Sequence, residues 1–174
     1  LRPEGTAGVV RNFIEDKLYG NQSSVVKEFY NGTMYRYERP QSGRDRELTQ
    51  FGVEILGSDD PMADAEVISL AVNIYKMLGL KEIKVNINSL GDKESRDMYR
   101  TALLDYFKPH IEELCEDCQT RLEKNPLRIL DCKVDADNEL LKNAPKTIDY
   151  LNDESRERFE AVKDYLDIMQ VSYE

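Results

Sequence analysis

An α+β fold is what this sequence predicts, an antiparallel β-sheet with flanking helices joined to a small, mainly helical module. Three observations carry that prediction. Two arms rich in β-branched, aromatic and aliphatic residues, 33–38 and 48–56, flank a loop of turn residues, which is the pattern of a hairpin. Apolar residues at helical spacing precede and follow that hairpin. From about Gly91 onward the chain changes to charged segments with a helical period, so runs of strand and helix are segregated along the sequence.

Taken in order, Thr6 is a plausible N-cap, and Val9, Val10, Phe13, Ile14 and Leu18 predict a helix of roughly four turns. Gly20 to Ser24 breaks it. Residues 25–38 read as strand, interrupted at Asn31-Gly32, with 33–38 as the first hairpin arm. Pro40 to Gly43 supply turn chemistry, and 48–56 return. Asp60 before Pro61 caps the next helix, whose stripe is Ala65, Ile68, Ala71, Ile74, Tyr75 and Leu78, ending near Gly79. Residues 82–88 alternate polar side chains with Ile83, Val85 and Ile87, a half-buried strand. A boundary is placed near Ser89-Leu90-Gly91-Asp92. Beyond it, 93–107, 109–124 and much of 136–168 are helical in period, punctuated by Pro126 and Pro145.

The 174 residues, 40% hydrophobic and 33% charged, suit a soluble protein of one domain with an appendage. No apolar run approaches the roughly 20 residues of a membrane span, and no secretory leader opens the chain. It starts on Leu1 without an initiator Met and stops after an expected helix, so a piece of a longer protein is expected. The net charge is −10. Residues 91–174 hold 21 acids against 13 bases, whereas 1–90 hold 13 against 11. A broad phosphate-binding surface is therefore not expected in the second half.

Against this acidity, Arg36, Arg39, Arg44 and Arg46 crowd around the hairpin tip. Alternation puts Arg36 and Glu38 on one face of a strand. The planar guanidinium matches phosphate oxygens, so an anionic ligand such as a nucleotide is expected. The competing reading is a cross-strand surface ion pair, with Arg39 and Arg46 in a solvated loop. Gln50 and Glu54 share parity with Gly52, which leaves room for a small substrate. Glu4 and Thr6 either join that site or only cap a helix.

Cys115, Cys118 and Cys132 suggest reduced thiols in a cytoplasm. Structural zinc prefers four ligands, and His110, the sole histidine, is the imidazole able to complete a set. Its spacing is not that of a standard finger, so ordinary thiols are expected, with no stoichiometric metal.

The strings Leu-Arg-Pro-Glu-Gly-Thr-Ala at 1–7, Tyr-Arg-Tyr-Glu-Arg-Pro-Gln at 35–41 and Gln-Phe-Gly-Val-Glu at 50–54 resemble the histidyl-tRNA synthetase family, which is a class II aminoacyl-tRNA synthetase. Asn-Ser-Leu-Gly-Asp at 88–92 and Asn-Pro-Leu-Arg-Ile-Leu-Asp at 125–131 are similar to the insertion domain of the same family. The resemblance implies a catalytic-domain fragment with the motif 2 hairpin at 1–90, a helical insertion domain at 91–167, and a return toward the catalytic domain at 168–174.

It further implies activation of histidine by ATP with Mg2+, and transfer to tRNA(His), by a cytoplasmic homodimer with no membrane association. By resemblance Arg36 is the catalytic arginine on the α-phosphate, Glu38 holds the adenine edge, Arg44 holds the outer phosphates, and Leu48 lies against adenine. Glu4, Thr6 and Gln50 match the positions that receive the histidine amino group, and Glu54 faces the imidazole. The family's insertion domain leans on the tRNA acceptor arm, and the acidic surplus of this one argues for weak binding in isolation. Leu48 stands where the family shows an aromatic residue, and Glu47 and Thr49 also depart from its pattern. Those departures motivate an alternative, a non-catalytic paralogue acting as a histidine-sensing regulatory subunit. The first and third class motifs and the anticodon-binding domain lie outside this sequence, so the piece alone is expected to be inactive.

Overall fold

In a computed structural model, residues 1–20, 25–39 and 41–174 are described, and they divide into two compact units, Leu1–Ile74 and Tyr75–Glu174. The expected break over Asn21 to Ser24 and the turn role of Pro40 lie outside the described residues.

The first unit is built on one antiparallel pair, β1 (Val26–Tyr35) and β2 (Glu47–Leu56). Its register sets Tyr30 opposite Gly52, Gly32 opposite Gln50 and Met34 opposite Leu48. A further backbone bond, from Arg36 N to Arg46 O at 2.9 Å, carries the pairing toward the tip. There Arg44 N donates to Gln41 O at 2.9 Å, and Gly43 takes φ +76°, the left-handed conformation that a type II turn requires at its third residue. β1 is longer than the sequence suggests, because Asn31-Gly32 does not interrupt it. Gly32 lies under the Arg2 guanidinium, whose Nη2 is 2.6 Å from where a Cβ would stand, and Arg2 Nε donates to Thr33 O at 3.0 Å.

Helix α1 (Thr6–Glu15) is shorter than four turns and is followed by a 3-10 turn, Leu18–Gly20. Its N-cap is Gly5, not Thr6. The Glu4 carboxylate instead accepts the Ala7 N–H at 2.9 Å, leaving the Thr6 hydroxyl for another partner. Helix α2 (Pro61–Met77) starts as expected, with Asp60 Oδ1 accepting the Met62 N–H at 2.8 Å. It ends on Gly79 at φ +87°, whose N–H bonds Lys76 O while that of Leu80 reaches Tyr75 O, closing off the last carbonyls. Of its expected stripe, Ala65 is buried but Tyr75 and Leu78 are exposed, and Val72 is buried in addition.

The second unit contains α3 (Lys93–Phe107), α4 (Glu116–Lys124), α5 (Glu139–Lys142) and α6 (Asp153–Ile168), connected by 3-10 turns. Its core comprises Tyr99, Leu103, Phe107, Leu114, Cys118, Leu122, Ile129 and Cys132. The segment 109–124 is not one helix. Pro109 lies in the first turn of a 3-10 segment, Lys108–Glu113, and Leu114 and Cys115 are extended before α4 begins. Residues 82–88 form no strand, although Ile83, Val85 and Ile87 are less exposed than the polar residues between them. Their backbone pairs only with Glu174, through Glu174 N to Val85 O at 2.8 Å and Ile87 N to Glu174 O at 3.0 Å. A ladder needs a run of partners, and among the described residues one position supplies them.

Helices α3 and α6 begin at a shared knot. Asp92 Oδ1 accepts the Ser95 N–H at 2.8 Å, and Asn152 Oδ1 accepts the Ser155 N–H at 3.0 Å. Each serine hydroxyl then accepts the backbone N–H of the other cap, Asp92 N to Ser155 Oγ at 3.2 Å and Asn152 N to Ser95 Oγ at 3.0 Å. Asn152 Nδ2 also donates to Asp92 Oδ2 at 3.0 Å.

These donors, the Ser95 N–H foremost, hold the Asp92 carboxyl below its ordinary value. A lowered folded pKa contributes stability above the unfolded pKa and loses it as pH falls through the folded one. Asp92→Asn keeps the cap, since Asn serves that position as well as Asp. It is expected to flatten the fall in urea midpoint between about pH 5 and pH 2. An identical slope in the variant would contradict the assignment.

Candidate functional site

On β1 and β2 the even-numbered side chains share a face, which carries buried Met34 and half-buried Tyr30, Leu48, Gln50 and Glu54. The odd face carries the exposed pair Phe29 and Phe51. The segment from Leu1 into α1 lies along the even face, tied by hydrogen bonds from both directions. Tyr35 N donates to Arg2 O at 2.8 Å, Arg36 Nε to Pro3 O at 2.8 Å, Gly5 N to Gln50 Oε1 at 3.2 Å, and Thr6 Oγ1 to Glu54 Oε1 at 2.6 Å. Five residues singled out from sequence (Glu4, Thr6, Arg36, Gln50 and Glu54) are thereby brought to one surface.

The charge on this surface is ordered along the hairpin. Toward the open ends of the strands stand Gln50 and Glu54, with Glu4 and Thr6 across from them. The Glu4 carboxyl is held below its usual value, chiefly by the Ala7 N–H, with burial opposing and with Thr6 and the positive charge of Arg36 assisting. This end offers carboxylate, amide and hydroxyl oxygens, suited to an ammonium or a ring N–H. Toward the tip stand guanidiniums. Arg44 Nη1 lies 3.5 Å from Glu38 Oε2, and Arg46 donates to Glu38 O at 3.3 Å while covering the Tyr37 ring at 4.6 Å. Arg39 is exposed. A ligand with a cationic or N–H-donating head next to phosphate oxygens matches both ends.

Two features depart from the sequence reading. The space over Gly52 is not left open for a substrate, because the Tyr30 ring fills the places where Cβ atoms on Gly52 and Gly5 would be. Tyr30 is the site residue that sequence reasoning missed. The signal lay in the pairing, an aromatic residue directly opposite a glycine, and it is visible only once the register is known. Leu48 is half-buried beside Met34, whereas Glu47 and Thr49 are exposed on the odd face, pointing away from the surface that holds Gln50.

In the second unit, the sulfurs of Cys115, Cys118 and Cys132 and a carboxylate oxygen of Asp135 all lie within 4.8 Å of one another. His110 is not in this set, and its Nδ1 lies 2.7 Å from Glu113 Oε1.

Comparison with known proteins places this geometry in context. The family model for histidyl-tRNA synthetase matches residues 1–170. The chain is 60% identical over 174 residues to a protein of Anoxybacillus flavithermus named histidine–tRNA ligase, and 59% identical to one of Listeria monocytogenes with the same name. In both cases all of this chain is covered but only 41% of the relative, so the chain spans about two fifths of their length. The crystal structure of apo S. aureus histidyl-tRNA synthetase matches with a TM-score of 0.75 at 45% identity, over 99% of this chain and 40% of that one. With the family model matched over residues 1–170 and relatives about 60% identical along its whole length, the chain belongs to the histidyl-tRNA synthetase family.

Proposed function

We propose that this chain works within a longer histidine–tRNA ligase, contributing part of the surface on which histidine is activated by ATP before transfer to tRNA(His). The observation that carries this reading is the convergence of Arg36 and Glu4 with Gln50 and Glu54 on one face of the hairpin. Glu4, Thr6 and Gln50 would receive the ammonium group of histidine. Glu54 would accept the imidazole N–H and so select a tautomer. Arg36 would meet the α-phosphate, where attack by the amino acid's carboxylate builds charge on the equatorial oxygens. A guanidinium already held by the Pro3 carbonyl stabilises that charge without reorganising.

Glu38 would hold the adenine edge, Leu48 its apolar face, and Arg44 the outer phosphates, released from its long contact with Glu38. The hairpin's guanidiniums suit phosphate oxygens rather than a cation, so Mg2+ would be held through the nucleotide and supply further charge neutralisation. Because pyrophosphate is a good leaving group, positioning and electrostatics carry the rate.

Residues 1–90 as catalytic-domain piece and 91–167 as insertion domain remain the assignment we favour, with 168–174 leading back. Contact of the insertion domain with the tRNA acceptor arm, a homodimer and a cytoplasmic location follow from the same family reading. Among the described residues no helix is long and apolar enough to cross a membrane. The histidine-sensor alternative rested on residues 47–49, and two of the three face away from the site. The deciding experiment is exchange of labelled pyrophosphate into ATP by the full-length protein. Exchange that depends on histidine is expected. Histidine binding without exchange would favour the sensor.

A further inference from the structure

We propose that Cys115, Cys118, Cys132 and Asp135 bind one zinc ion, a structural site that staples the start of α4 to the loop after Pro126–Ile129. Four donor atoms from separate stretches of chain converge within 4.8 Å. Three of the four residues are buried, Cys118 at 0%, Cys132 at 5% and Asp135 at 9% exposure. Cys115 Sγ and Cys132 Sγ are 3.7 Å apart. That is far from a disulfide, whose sulfurs lie about 2.05 Å apart. It matches the edge of a tetrahedron around zinc, where Zn–S bonds of about 2.3 Å put the sulfurs about 3.8 Å apart.

The backbone is arranged for thiolates. Cys115 is the N-cap of α4 and Cys118 lies in its first turn, at the positive end of the helix dipole.

The bland alternative is a cluster of thiols bonded to a carboxylate. Thiols are weak donors, and a largely buried carboxylate needs stronger compensation than they provide. The Cys115 N–H reaches Asp135 Oδ2 at 3.2 Å, which orients the carboxylate among the sulfurs. Arg121 Nη1 stands 3.8 Å from Cys118 Sγ and also donates to Arg128 O, so a fixed guanidinium offsets part of the negative charge that three thiolates and a carboxylate leave around a divalent ion. Soft thiolates in a tetrahedral, mononuclear set select zinc. Four protein ligands close the coordination sphere, so the role is structural, and the energy of binding is energy of folding.

The proposed fourth ligand differs from the one weighed in the sequence. It is Asp135, three residues beyond Cys132, and not His110.

Elemental analysis of the 174-residue chain, purified without chelator, is expected to give one zinc per chain. Substituting cobalt(II) is expected to produce the visible bands of tetrahedral cobalt with thiolate charge transfer in the near ultraviolet. Cys132→Ser and Asp135→Asn each lose stoichiometric zinc, whereas His110→Ala keeps it. Wild-type protein with zinc no higher than a protein blank and an octahedral cobalt spectrum would overturn the site, as would full zinc retention in a Cys132→Ser/Asp135→Asn double variant. Should a variant fail to fold, the wild-type metal content and cobalt spectrum decide the matter alone.

Discussion

Arg36→Ala in the full-length protein is expected to slow adenylate formation by about 10²–10³, the usual loss when one preorganised transition-state donor is removed. Two constraints position the side chain. Its backbone N–H pairs with Arg46 O at 2.9 Å and its Nε with Pro3 O at 2.8 Å, so the guanidinium is anchored to the hairpin and to the strand-hugging N-terminal segment together. In the proposed role the guanidinium faces an α-phosphate whose negative charge grows during attack, so kcat and kcat/KM should fall together while histidine affinity changes little. Arg36→Lys should recover only part of the rate, since an ammonium lacks the planar fork. Single-turnover measurement of adenylate formation is the check, and an unchanged rate refutes the assignment. A variant that lost histidine binding instead would mean that Arg36 serves mainly to hold Pro3 and its neighbours.

Phe107→Ala is expected to destabilise the second unit by about 3–5 kcal/mol, the range for deleting a fully buried aromatic ring. Phe107 has no exposed surface, closes the C-terminal end of α3, and makes an edge contact with Tyr106 at a centroid distance of 5.1 Å. It belongs to the same cluster as Cys118 and Cys132, so the cavity would open beside the cysteine cluster. Hydrogen exchange of amides in α3 and α4 is the direct readout, with protection there falling by the same free energy. A loss below about 1 kcal/mol would mean that the surrounding side chains collapse into the space.

Much of this was legible in the sequence, for reasons that are local. The returning strand is a run of alternating residues that needs no partner to be recognised, and α3 runs over 93–107 as its period predicts. Asp60 beside Pro61 is a short-range signal, and the helix begins there. The errors came where a residue's meaning depends on what lies across from it. Gly32 reads as a breaker in one dimension but sits paired with Gln50 inside β1 in three. Thr6 reads as a cap until Glu54 is found opposite its hydroxyl. Residues 82–88 alternate as a strand should, yet a strand exists only by virtue of its neighbour. Asp135 gave no signal at all, since a lone aspartate in an acidic segment is unremarkable until the fold sets it among sulfurs. For the candidate site, parity alone grouped Gln50 with Glu54. The Tyr30 ring over Gly52 required the register.

The knot formed by Asp92, Ser95, Asn152 and Ser155 also governs how the second unit tolerates change. The polypeptide departs and comes back through one gate, with side chains sixty positions apart bonded across it. Everything between is a bight tied at its neck. Insertions or trimming inside that bight leave the spacing of its two tethers untouched, whereas a fault at the gate frees both at once.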